Sequence, residues 1–65
     1  MKHYLFEEFF SGEQFIVGAD SLVGAYNEAD EIVKDFHVYQ ADGPKLLFLG
    51  RLTDEEAEAS GLDEY

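Results

Sequence analysis

Bulky apolar residues crowd the start of the chain. Tyr4, Leu5, Phe6, Phe9 and Phe10 give residues 3–10 the β-favouring bulk of a strand. Ser11-Gly12 then supplies a turn, and residues 13–17 form a second strand, so the two make a hairpin. Asp20 and Ser21 carry the side-chain oxygens that cap a helix start. From Leu22 the period changes from 2 to 3.6. Leu22, Ala25, Tyr26, Ala29, Ile32, Val33 and Phe36 fall on one stripe, with Asn27, Glu28, Asp30, Glu31, Lys34 and Asp35 on the other side. That pattern predicts an amphipathic helix of about four turns.

Residues 37–41 alternate as a third strand, Asp42-Gly43-Pro44 is a turn, and residues 45–52 form a fourth strand through Leu46-Leu47-Phe48-Leu49. Thr53 with Glu56 three positions on matches a capping box, opening a short helix over residues 54–59 that Gly61 stops. The expected fold is α+β, in the order ββαββ(α). A four-stranded antiparallel sheet carries the amphipathic helix on one face, with a short C-terminal helix following. Residues 1–61 form one domain and residues 62–65 an acidic tail, expected to be loose unless Leu62 and Tyr65 dock.

This pattern leaves a covering problem. In the fourth strand Leu46 and Phe48 face one side while Leu47 and Leu49 face the other. One helix covers one face only, so the second needs the C-terminal segment or a second copy of the chain. Self-association into a homodimer is the favoured expectation, because wet apolar side chains are expensive in so small a domain.

Composition narrows the chemistry. The 65 residues contain no cysteine, which excludes disulfides and fits a reducing cytoplasm. Two histidines without a thiolate leave no structural zinc set, and no metal or cofactor is expected. No apolar run approaches the length of a membrane span, and early acids break any signal-peptide pattern.

Fifteen acids against four bases leave a net charge of −11. Phosphate backbones and anionic membranes both need cationic side chains, so direct nucleic-acid and membrane binding are not expected. The same charge opposes an aromatic base-stacking platform built from Tyr4, Phe6, Phe15, Tyr39 and Phe48.

A reaction centre is not in view either. Ser11, Ser21 and Ser60 sit at turns or caps, and His3 and His37 read as partly exposed strand-edge residues. Glu7 and Glu8 point to opposite faces of a strand, so one of them faces inward and needs a partner, with Lys2, Lys45 and Arg51 available. The Asn27–Glu31 stretch has oxygen ligands but lacks the calcium-loop spacing, and on a helix its side chains diverge. Nucleotide-binding glycine loops are absent. The chain is expected to be no enzyme.

What remains is the acidic surface. Glu28, Glu31 and Asp35 stand at i, i+3 and i+7, and Asp54, Glu55, Glu56 and Glu58 form a second group. Acids one helical turn apart stand about 5–6 Å from each other, a spacing of the same order as that of phosphates along a strand. They are the candidate contacts for a basic protein surface, in the manner of a nucleic-acid mimic. Against this stands the plainer use of charge to keep a small apolar protein soluble.

The closing run Leu52-Thr53-Asp54-Glu55-Glu56-Ala57-Glu58-Ala59-Ser60-Gly61-Leu62-Asp63-Glu64-Tyr65, behind a hairpin and a helix entered through Ile16-Val17-Gly18-Ala19-Asp20-Ser21, resembles small uncharacterised acidic proteins carried on bacterial mobile elements. The resemblance implies no reaction and no functional residues. It points toward a partner in a DNA-handling system of the host or the element.

Overall fold

Alternation along the first strand decides which side of the sheet every other element serves. The computed structural model describes residues 1–9, 11–36 and 46–65, with residues 34–36 described by backbone alone. In chain order its elements are β1 (Lys2–Glu8), β2 (Gln14–Ala19), α1 (Leu22–Phe36), β3 (Leu46–Leu52) and α2 (Asp54–Ser60). Among the described residues β1 is central in a three-stranded sheet of order β2-β1-β3, and both pairings are antiparallel. The protein is thus α+β. The strand expected over 37–41, and the turn after it, lie outside the described residues.

Tyr4 pairs with Val17 and Phe6 with Phe15, so these four share one face. All four are buried, packed under Ala25, Ala29, Ile32 and Val33 of α1. Phe6 is the hub, with Phe15 stacked at 6.0 Å, Tyr26 edge-on at 5.0 Å and Phe48 tilted at 5.6 Å between ring centroids. Ser21 starts α1 as expected, its Oγ accepting the Gly24 N–H at 3.2 Å.

Three boundaries differ from the sequence pattern, each for a local reason. β1 ends at Glu8, not Phe10, because the chain turns there. Glu8 N–H donates to Glu13 O at 2.8 Å, Gly12 N–H donates to Glu8 O at 2.9 Å, and Gly12 takes a left-handed φ of 74°. β2 continues through Gly18 to Ala19, which pairs with Lys2, where the glycine suggests a hairpin end. β3 carries a bulge: Phe48 sits opposite Phe6 and Gly50 opposite Leu5, so Leu49 is the extra residue. The expected alternation of Leu47 and Leu49 on one face therefore breaks at Leu49.

The second face holds Leu5, Ile16 and Leu52, and it is partly covered by α2 and the C-terminal segment. Ile16 and Ala57 are buried there. The segment after Gly61 is not loose. Ile16 N–H donates to Asp63 O at 2.9 Å, Tyr65 N–H to Ile16 O at 2.8 Å and Gly18 N–H to Tyr65 O at 2.8 Å. Glu64 thus bridges Ile16 in parallel on the outer edge of β2.

Candidate functional site

The two acidic groups lie on different helices, and the helices lie on different faces of the sheet. α1 packs on the face of Tyr4 and Phe6, whereas the N-terminus of α2 meets His3, which alternation puts on the opposite face. Glu28 and Glu31 are exposed on α1, Glu31 on the side away from its buried Ala25–Ala29–Ile32–Val33 stripe and Glu28 at the flank of that stripe. Asp35 lies in the last turn of α1, and its side chain lies outside the described residues. Glu55 and Glu58 are exposed on α2. A single flat surface cannot contact both groups.

Two of the candidate acids have local structural work. Thr53, extended at φ −75° and ψ 167°, is the N-cap of α2. Its Oγ1 accepts the Glu56 N–H at 3.1 Å, and Glu56 Oε1 accepts the Thr53 N–H at 2.9 Å, closing the expected capping box. Asp54, Glu55 and Glu56 all stand in the first turn, where the helix dipole favours negative charge. Gly61 ends α2 in the left-handed region at φ 71°.

Asp54 also holds the second face together. Its Oδ1 lies 2.6 Å from His3 Nε2, and Glu64 Oε2 meets His3 Nδ1 on the other ring edge. The His3 side chain retains 18% exposure, while that of Asp54 is 90% exposed. The hydrogen bond that His3 donates to Asp54 raises the His3 pKa above the usual histidine value; desolvation opposes this, and the bond to Glu64 and the charges of both carboxylates add to it. His3 is therefore a connector of β1, α2 and the C-terminal segment, where the sequence shows only a strand-edge histidine. No local signal marks it, because its partners lie 51 and 61 positions away.

Glu8 is the inward member of the Glu7–Glu8 pair and is fully buried. Its Oε1 accepts the Ser11 N–H at 2.8 Å, tying the end of β1 to the turn. Glu7, on the opposite face, accepts from Gln14 Nε2 at 3.1 Å.

Among the described residues no three His, Asp or Glu side chains converge as metal ligands, and no pocket opens. His3, Asp54 and Glu64 do not converge, since each carboxylate takes a different edge of the ring. No described helix is long and apolar enough to cross a membrane. No family model, no curated protein and no solved structure matches the chain.

Proposed function

We propose that the chain is a cytoplasmic, non-catalytic binding module that presents carboxylates to a basic protein surface. In this reading it is a nucleic-acid-mimicking inhibitor of a DNA- or RNA-handling protein belonging to a bacterial mobile element or its host. The observation that carries the proposal is the exposure of Glu28 and Glu31 on α1 and of Glu55 and Glu58 on α2, on a molecule of net charge −11. Carboxylates one turn apart on a rigid helix approximate a row of phosphates, and charge of one sign steers association with a cationic groove. Because the two rows face away from each other, a simple groove engages one row.

Titration against a purified basic DNA-binding domain, competed by duplex DNA, tests this. Affinity should fall steeply with salt. Glu28→Gln with Glu31→Gln, or Glu55→Gln with Glu58→Gln, should weaken binding in one pair and spare it in the other. Binding that is absent at low salt, or indifferent to both pairs, removes the proposal.

A second reading, self-association with charge serving solubility alone, draws on one observation. Leu47, Phe48 and Leu49 of β3 remain 39%, 36% and 47% exposed. Light scattering during size exclusion decides it, and a 7.4 kDa species at high concentration ends it.

A further inference from the structure

His3 stands between two carboxylates, with Asp54 Oδ1 at Nε2 and Glu64 Oε2 at Nδ1. An ionised carboxylate only accepts hydrogen bonds, so both ring nitrogens must donate, and only the imidazolium has two N–H groups. A neutral ring keeps one bond and turns a lone pair toward the other carboxylate. The geometry therefore specifies the charged form.

Among the described residues no cation other than His3 is paired with Asp54 or Glu64; the Met1 α-amino group, two residues before His3 and with its side chain beside Gly18, is paired with neither. Opposite His3, β2 presents Gly18 and β3 presents Leu52. Glu7 shares the face of β1 but lies four residues along it, bonded to Gln14. Lys2 and Arg51 belong to the other face, Lys2 by alternation and Arg51 by pairing with Tyr4. α2 contributes Asp54 and the C-terminal segment contributes Glu64.

What Glu64 anchors is short. The segment Asp63–Tyr65 is held by its three backbone bonds to Ile16 and Gly18 and by the Tyr65 ring, edge-on to Phe15 at 5.9 Å. Parallel pairing puts the Glu64 side chain on the His3 side and Tyr65 on the other. Beneath it lies Ile16, fully buried. Removing the segment bares two N–H groups and a carbonyl on the β2 edge, the groups an added strand uses.

We propose that His3 is a proton-operated latch, in which the imidazolium joins Asp54 of α2 to Glu64 of the C-terminal segment and its deprotonation releases that segment from the edge of β2. The latch is closed below the ordinary histidine range and opens as pH rises through the raised value of the latched ring. Each pH unit separating the latched and open pKa values multiplies the opening constant about tenfold.

Nuclear magnetic resonance on the full chain from pH 5.5 to 9 tests it. The His3 ring protons give the titration, and amide exchange at Ile16, Gly18 and Tyr65, corrected for intrinsic base catalysis, gives the opening. Protection at these three amides should fall in step with His3, while the β1 amides hold theirs. In Glu64→Gln the His3 midpoint should drop, and exchange at the three amides should lose its dependence on His3 charge. A His3 midpoint unmoved by Glu64→Gln overturns the latch. So does protection at the three amides that follows β1 throughout the titration.

Discussion

Phe6 and Phe48 are the same residue type, 5.6 Å apart, in very different surroundings. Phe6 is fully buried and touches three other rings, whereas Phe48 is 36% exposed on β3. A domain of 65 residues has a total stability of about 3–10 kcal/mol at ordinary values per residue. Truncating a buried Phe to Ala removes its transfer energy and leaves a cavity, about 3–5 kcal/mol together. Phe6→Ala should therefore remove a large share of that stability, and at the low end of the range it leaves the chain about half unfolded in water. Phe48→Ala loses roughly two-thirds of the burial and opens to solvent with no closed void, so about 2 kcal/mol is expected. Phe6→Leu keeps most of the volume but loses ring pairing, and about 1–2 kcal/mol is expected.

Urea titration followed by tyrosine fluorescence or far-ultraviolet dichroism reads these values. With a slope near ~1 kcal/mol per molar for so small a protein, Phe6→Ala moves the midpoint by about 3 M or more. Because the two rings touch, the double variant should cost less than the sum of the singles. Equal costs for Phe6→Ala and Phe48→Ala, or a larger cost at Phe48, would show that β1 does not run through the centre of the core.

Three further outcomes follow from single features. Thr53→Ala should cost about 1 kcal/mol by opening the capping box, measured by thermal unfolding, and no change would mean that α2 does not depend on this cap. Gly61→Ala meets nothing within 4 Å, so its cost is the left-handed backbone at φ 71° alone. That strain amounts to about 1–2 kcal/mol, and each kcal/mol lowers the midpoint by roughly 4–8 °C; an unchanged midpoint refutes the assigned φ. The His3 pKa is higher in the folded state, so its contribution to stability is complete below about pH 6.5 and is lost as pH rises through the folded value. Urea stability should decline over that window and the decline should shrink in His3→Gln, which separates His3 from His37; an equal decline in the variant refutes the assignment.

Local chemistry was legible and long-range pairing was not. The 3.6 period from Leu22 and the Thr53–Glu56 box each occupy neighbouring positions, so their physics can be read from a short window, and both α1 and α2 stand where that window puts them. Gly50 within a strand pattern is a mark of a bulge, but which residue is the extra one depends on the pairing with β1, which no short window carries. Docking of the C-terminal segment was legible as an alternative but its place was not, because three residues carry no period and the place depends on the free edge of β2. His3 escaped for the same reason twice over. The acidic groups were each visible as a spacing, but their opposition across the sheet depends on which parity of β1 faces α1, and that is decided by the packing of Tyr4 and Phe6 under α1.

Salt separates the two functional readings, because they respond to it with opposite sign. A cationic groove and a molecule of charge −11 attract each other, so screening weakens their complex. Two copies joined through Leu47, Phe48 and Leu49 each bring that same charge, so screening should strengthen their association. With a Debye length of about 10 Å at 0.1 M salt, and a radius of gyration of 11.3 Å, the repulsion at lower salt spans the whole molecule. Sedimentation of the chain alone from 20 mM to 500 mM salt, beside titration of the basic partner over the same range, should move the two equilibria apart. If self-association weakens with salt, apolar contact at β3 is not its cause, and the covering of the sheet falls to α2 and the Asp63–Tyr65 segment alone.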